Sequence, residues 1–146
     1  TDLRRHAEAY LKTLRIGTDA PFDQRAINII LGLLSRGEIS ADRTAAQLGI
    51  TRRTLNRKLG QSGHSYSSLL QSIRQEIAQT LLEENAKTIS EVGYDLGFRS
   101  LSAFSTWFRQ SFGCAPIEWR RNRIRESGTA LRRDRPGNAE VDHRGG

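Results

Sequence analysis

The side chains best suited to chemistry in this sequence are two arginines and an asparagine within the stretch TRRTLNRKLGQSG. Arg53 and Arg57 are four residues apart, so on a helix they share one face, and Asn56 lies beside them. At roughly 100° per residue, Leu55 and Leu59 fall on the opposite face, which a core would bury. Arginine pairs bidentately with guanine, and asparagine with adenine, in the DNA major groove. The exposed trio therefore predicts contacts with base edges.

Basic side chains around this trio suit contacts with phosphate. Arg52 and Lys58 flank the buried side of the same predicted helix, away from the base-contacting face. The alternative for each arginine is a solvated surface charge. Residues 51–63 hold four basic residues and no acid, and residues 118–125 hold four arginines against one glutamate, which favours an anionic partner. The side chains expected to contact phosphate are Thr51, Arg52, Lys58, Arg99, Ser100, Arg109, Arg120 and Arg121.

A second stretch, DLGFRSLSAFSTWFRQSFG, has the same layout as QLGITRRTLNRKLGQSG about 49 residues earlier. Helical spacing predicts an inward face there, with Trp107 at its margin, made of Leu101, Phe104, Phe108 and Phe112. The predicted outward face carries mainly hydroxyl groups, which tolerate several bases. The base-edge candidates on this face are Ser102, Ser105 and Thr106.

Each stretch predicts a short helix, a glycine-containing turn and a second helix, which is the layout of a DNA-binding helix-turn-helix. Two helical hairpins that only pack a core are the alternative. The periodic segment 65–84 between them would span about 30 Å as a helix, close to the roughly 34 Å between successive major grooves on one face of DNA. Such a connector could place two recognition helices in adjacent grooves.

The whole chain predicts an all-α fold, because no segment alternates as a strand does. Ser40, Thr51 and Ser100 are expected to cap helices, and TISE at residues 88–91 forms a capping box. Predicted helices cover residues 2–15, 22–35, 41–48, 52–61, 65–84, 88–97, 100–112 and 116–125. Residues 1–21 are expected to be a helix and linker from a missing upstream domain, residues 22–125 the binding domain, and residues 126–146 a disordered tail.

The composition favours nucleic acid over a membrane surface or an acidic protein as the anionic partner. Lysine and arginine number 23 against 16 acids, for a net charge of +7. One cysteine, Cys114, allows no internal disulfide, which suits the cytoplasm, and no apolar run reaches membrane-spanning length. The three histidines are scattered without metal-ligand spacing, and no phosphate loop or catalytic motif occurs, so we expect no enzyme activity, metal or cofactor.

The ordered segments AAQLGITRRTLNRKL, GHSYSSLLQSIRQEIAQTLL, ISEVGYDLGFRSLSAFSTWF and FGCAPIEWRR resemble the DNA-binding domain of AraC/XylS-type bacterial transcription regulators over residues 38–121. The resemblance implies seven helices in two helix-turn-helix subdomains, joined by a long linker helix and inserting both recognition helices on one face of bent DNA. It also implies base contacts at Arg53, Asn56 and Arg57 in the first subdomain, and at Leu101, Ser102, Ser105 and Thr106 in the second.

Three residues depart from the family pattern. Arginine is common where Thr106 stands, a serine cap where Ala115 stands, and a small residue where Trp107 stands. These departures predict that the second recognition helix discriminates bases less well than the first.

Together these features predict a sequence-specific, double-stranded DNA-binding transcription regulator that inserts two recognition helices into successive major-groove segments. A helical protein-interaction module and a nonspecific architectural DNA binder are the alternatives. RNA polymerase is a further candidate partner. This chain is expected to be monomeric, whereas dimerisation of a longer protein through an upstream domain stays open.

Overall fold

The computed structural model describes residues 21–133, which form seven helices and contain no strand. This confirms the all-α prediction. The predicted helix over residues 2–15 and the last part of the predicted tail, residues 134–146, lie outside the described residues. The helices are α1 (Pro21–Arg36), α2 (Ala41–Gln47), α3 (Arg52–Gly60), α4 (Tyr66–Glu84), α5 (Ile89–Asp95), α6 (Leu101–Phe112) and α7 (Pro116–Arg133).

The helix starts lie where the hydroxyl side chains predicted them. The side-chain oxygens of Ser40, Thr51 and Ser100 each accept a hydrogen bond from the backbone N–H three residues further on, at 3.0, 3.1 and 3.0 Å. Thr88 and Glu91 form the predicted capping box, with bonds of 3.1 and 2.8 Å. Each cap satisfies an amide that the helix itself leaves without a partner, so these local signals fix where four helices begin.

The first helix-turn-helix consists of α2 and α3, which pack on each other and on α1. Leu55 and Leu59 of α3 are completely buried, as their spacing predicts. They join a core that includes Ile30 and Leu31 of α1. One face of α3 is therefore fixed by packing, and its opposite face is left at the surface.

The second helix-turn-helix consists of α5 and α6 and packs around aromatic rings. Phe104 and Phe108 are fully buried, and the rings of Phe108 and Phe112 stack at 4.3 Å between centroids. Leu101 does not join this cluster: it is 49% exposed, so its predicted inward position is wrong. It is the first residue of α6, where the helix has not yet reached the core.

The long helix α4 connects the two units and packs against both. It contacts α1 and α3 on one side and α5 and α7 on the other. Its buried stripe is Tyr66, Leu69, Ile73, Ile77, Ala78, Leu81 and Leu82. The helix has 19 residues, so it is about 28 Å long.

The last helix, α7, continues to Arg133, so the predicted disordered tail is wrong for residues 126–133. Extending a helix that tertiary packing already holds requires little further stabilisation per residue. Arg123 pairs with Glu126 across the predicted boundary at 3.6 Å, and with Glu83 of α4 at 2.8 Å.

At the other end of α7, Ala115 provides no side-chain cap, but its backbone N–H donates to Oε1 of Glu118 at 3.1 Å. Half of a capping box therefore remains.

Candidate nucleic-acid interface

The first recognition helix, α3, presents the three predicted base-contacting residues at the surface. Arg53, Asn56 and Arg57 are all exposed, on the side of α3 away from the buried Leu55 and Leu59. Within the described part of the chain, neither arginine has a hydrogen bond or an ion pair. Two guanidinium groups, each with five donors, are thus free to bind acceptors from another molecule.

Asn56 has a second role that the sequence did not reveal. Its Oδ1 accepts a hydrogen bond of 3.1 Å from the backbone N–H of Tyr66, the first residue of α4. The hydroxyl of Tyr66 in turn lies 3.1 Å from Oγ1 of Thr44 in α2, and burial raises the pKa of this phenol. Tyr66 therefore joins α2, α3 and the linker helix at one point.

The phosphate candidates of the first unit lie around the start and the flank of α3. Thr51 is exposed, but its hydroxyl oxygen is already the cap of α3. Arg52 is exposed, 4.0 Å from a carboxylate oxygen of Asp42, which is a weak surface pair. Lys58 is half-buried, with its Nζ 5.3 Å from the centre of the Phe22 ring. All three lie near the surface, and Lys58 leans towards α1.

The second recognition helix, α6, presents hydroxyls where α3 presents guanidinium groups. Ser102 and Thr106 are exposed and Ser105 is half-buried. The phosphate candidates Arg99 and Ser100 are exposed just before the helix, and Arg109 is exposed in its last turn. Ser100 Oγ is occupied as the cap of α6, like that of Thr51 in α3.

Trp107 fastens α6 to the linker helix. Its indole Nε1 donates to Oε1 of Gln71 at 2.7 Å, and Nε2 of Gln71 donates to Oγ of Ser111 at 3.0 Å. The indole is also packed among the rings of Phe98, Phe104, Phe108 and Phe112. The large residue that departs from the family pattern thus holds the orientation of α6 on α4.

Arg74 of α4 holds the turn between α5 and α6. Its Nε donates to the carbonyl of Leu96 at 2.9 Å, and its guanidinium lies 4.4 Å from the centre of the Phe98 ring. Burial lowers the pKa of Arg74. Gly97 has a φ of +89°, and a Cβ there would lie 3.1–3.2 Å from Leu34, Arg74 and Ile39. The second unit is therefore in close contact with residues of the first.

Arg120 was predicted to contact phosphate, and the structure places it in the interior instead. Its side chain is 8% exposed, with Nε donating to the carbonyl of Leu82 at 3.0 Å and Nη2 lying 3.5 Å from the carbonyl of Leu81. Burial lowers the pKa of this guanidinium. Arg120 satisfies carbonyls in the last turn of α4, so its donors are used within the chain. Its neighbour Arg121 is exposed and stays a candidate.

Two features are absent from residues 21–133, the part of the chain that the structure describes. No group of three or more histidine, cysteine, aspartate or glutamate side chains is arranged to hold a metal ion. No helix is both long and apolar enough to cross a membrane.

Residues 44–122, more than half of the chain, match the sequence model of a helix-turn-helix domain family whose members are of the AraC type. The chain belongs to the AraC-type helix-turn-helix family. The resemblance that the sequence motifs suggested is confirmed. Membership makes the chain a DNA-binding domain of the transcription-regulator type.

Among curated relatives, the HTH-type transcriptional regulator VirS of Mycobacterium tuberculosis is 29% identical over 119 residues, which are 82% of this chain and 35% of VirS. The transcriptional activator RhaS of Escherichia coli is 31% identical over 101 residues, which are 66% of this chain and 36% of RhaS. The chain thus spans about a third of the length of these relatives.

Solved structures share the same arrangement of helices. A DNA-binding transcriptional dual regulator from Escherichia coli K-12 matches with a TM-score of 0.65 at 26% identity, over 75% of this chain and 98% of that one. The DNA-binding domain of the transcription factor AdpA, solved in complex with a target DNA, matches with a TM-score of 0.56 at 27% identity, over 77% of this chain and 97% of that one. These matches support the two-unit helical fold.

Proposed function

We propose that this chain binds double-stranded DNA in a sequence-specific manner, with α3 and α6 entering successive major-groove segments, as part of a bacterial transcription regulator. One observation carries the proposal: α3 exposes two arginines with no partner among the described residues, while its opposite face is locked into the core. A helix held in this way presents its donors in a fixed geometry, which base recognition needs.

The linker helix supports the two-groove part of the proposal. Its length of about 28 Å is somewhat below the roughly 34 Å between successive major grooves. The shortfall is compatible with DNA bent towards the protein, which brings the grooves closer on that side. On this proposal one chain performs the task that a symmetric dimer performs in simpler helix-turn-helix proteins.

The two halves are proposed to contribute unequally. In α3, Arg53 and Arg57 suit guanine, whereas α6 offers Ser102, Ser105 and Thr106, whose hydroxyls discriminate poorly. Arg99 and Arg109 next to these hydroxyls suit contacts with phosphate, which hold position without selecting sequence. The second subsite is therefore read mainly through DNA shape.

The test is a binding selection from a random DNA library, repeated with Arg57→Ala and Arg57→Lys. We expect Arg57→Ala to weaken binding to the selected site by about 1–3 kcal/mol and to relax one base position. Lysine keeps the charge but loses the bidentate geometry. Arg57→Lys is therefore expected to retain affinity for random DNA while losing the preference at the same position.

The same selection separates the proposal from its two rivals. A nonspecific architectural binder would enrich no motif and would lose equal affinity on selected and random DNA in both variants. A protein-interaction module would show no salt-dependent DNA affinity at all. The exposed arginines of α3 favour the base-reading function over both.

The proposal also covers activity, location and assembly. It assigns this chain no catalytic activity and no cofactor, because binding DNA needs neither. A cytoplasmic location follows from a chromosomal DNA partner in a bacterium. The chain on its own is proposed to be monomeric, since it carries two recognition helices. Contact with RNA polymerase, and dimerisation through an upstream domain, are hypotheses about the whole regulator.

A further inference from the structure

The first turn of the linker helix depends on a residue of the first recognition helix. Ser65 and Ser68 form a capping box: each side-chain oxygen accepts from the other residue's backbone N–H, at 3.0 and 2.9 Å. That box does not reach the backbone N–H of Tyr66. Oδ1 of Asn56 accepts this hydrogen bond at 3.1 Å, from ten residues earlier in the chain. Asn56 therefore completes the cap of α4 from outside the helix.

This bond fixes the direction of the Asn56 side-chain amide. The oxygen and the nitrogen leave Cγ on opposite sides, so an oxygen directed at Tyr66 turns the nitrogen the other way. Asn56 is exposed, and its Nδ2 has no hydrogen-bond partner among the described residues. It therefore presents two donors and no readily available acceptor at the surface of α3.

Donor-only presentation changes which base suits this position. Reading adenine bidentately requires the asparagine oxygen to accept from N6 while its nitrogen donates to N7. Guanine offers two acceptors, O6 and N7, and thymine offers O4. We propose that Asn56 reads DNA as a donor only and selects guanine or thymine, not adenine, at the base position that it contacts. The inference rests on the proposed function, in which α3 enters the major groove.

The structure resists release of the Asn56 oxygen. Tyr66 is 8% exposed and its hydroxyl lies 3.1 Å from Oγ1 of Thr44, so the residue whose backbone N–H binds Asn56 is itself held in place. Adenine could be read in the usual way only if this hydrogen bond were broken. A net hydrogen bond corresponds to roughly a two- to tenfold change in an equilibrium, so adenine should be disfavoured by at least that factor.

The test uses Asn56→Asp and Asn56→Ala, with two readouts. Aspartate keeps an oxygen for the Tyr66 N–H, and its charge is favourable at a helix N-terminus. We expect Asn56→Asp to melt at or above the wild-type temperature, and Asn56→Ala to melt about 4–8 °C lower, because it leaves the N–H of α4 without its acceptor. A merely exposed asparagine would give the same melting temperature in all three proteins.

The second readout is base preference on four duplexes that differ only at the position where the variants change the selected motif. We expect the wild type to prefer guanine or thymine there over adenine by at least roughly two- to tenfold. Asn56→Asp replaces the donors with an acceptor, and is expected to shift the preference to cytosine, whose N4 donates. Because the four duplexes differ by one base pair, repulsion between the introduced aspartate and the phosphates is the same on all four and does not affect the comparison.

Three results would overturn the inference: a wild-type preference for adenine at that position, no change of preference at any position in Asn56→Asp, or equal melting of Asn56→Ala and Asn56→Asp. Failure of the proposed function gives a different result. The wild type would then select no motif, while the melting of the two variants would still report whether Asn56 caps α4.

Discussion

Two neighbouring arginines on α7 give the sharpest test of the structure, because their charges are equal and their surroundings are not. Arg120 is 8% exposed and bonded to carbonyls of α4, whereas Arg121 is exposed. We expect Arg120→Ala to lower stability and Arg121→Ala to lower DNA affinity. The sequence alone predicts phosphate contacts for both residues.

The magnitude for Arg120→Ala follows from its two contacts. The bond from Nε to the Leu82 carbonyl, at 3.0 Å, is a charged hydrogen bond, worth about 1.5–3 kcal/mol. The contact with the Leu81 carbonyl, at 3.5 Å, lies at the limit of a hydrogen bond and adds little. Loss of packing by the aliphatic stem adds to this, and relief of the desolvation that lowers the Arg120 pKa offsets part of it. We therefore expect about 2–3 kcal/mol, or roughly 10 °C in melting temperature.

The assay compares thermal unfolding with DNA binding at several salt concentrations, at a temperature where all proteins are folded. Arg121→Ala should melt like the wild type. Its plot of log affinity against log salt should fall less steeply, by about 0.9 in slope, because one phosphate contact is lost. Arg120→Ala, once folded, should keep the wild-type slope. Melting of Arg120→Ala within 2 °C of the wild type, or loss of a unit of salt slope at equal stability, would contradict a structural role for Arg120.

Two further substitutions, one of them with a matched control, test the packing of the helices. A Cβ at Gly93 would lie 2.8–2.9 Å from side-chain atoms of Phe104, so Gly93→Ala is expected to lower the free energy of unfolding by about 1–3 kcal/mol. Gly32→Ala, in open space within α1, is the matched control and should raise it by about 0.5–1 kcal/mol, and equal urea midpoints for the two would contradict the close approach of α5 and α6. Tyr66→Phe removes the hydrogen bond to Thr44, and should lower that free energy by about 1 kcal/mol at neutral pH. Because burial raises the pKa of Tyr66, the unfolded state loses this proton first, so wild-type stability should fall further above about pH 10. Tyr66→Phe should lack this loss of stability at high pH. Denaturant midpoints that change identically with pH in both proteins would argue against a buried, protonated Tyr66.

Helix starts were predictable from the sequence because their causes are local. Ser40 and Thr51 each satisfy an amide only three residues away, so residue type and spacing are sufficient. The end of α7 was not predictable in this way. Just before the predicted end of α7, Arg123 forms an ion pair with Glu83 of α4, 40 residues earlier in the chain, and such a long-range contact has no local sequence signal.

The same distinction between local and long-range causes applies to the candidate site. The exposed faces of α3 and α6 follow from helical periodicity, although Leu101 shows that periodicity misjudges a residue beyond the edge of the core. Arg120 and Arg121 differ by one residue and about 100° around the helix, and only the position of α4 decides which one is buried. The bond from Asn56 to Tyr66 crosses a turn, and no repeating pattern signals it.

The close contact at Gly97 affects how the two helix-turn-helix units contribute to DNA binding. Because Leu34, Ile39 and Arg74 lie within about 3.2 Å of where a Cβ would be, the second unit has little room to rotate against the first. On the proposed function, once one half docks, the other is held over its own groove at a high effective concentration. A weak second subsite then still adds affinity, but only when its base pairs lie at the right angle around the DNA axis relative to the first subsite. Inserting a single base pair turns that subsite by about 35° around the axis, and this added affinity is then lost.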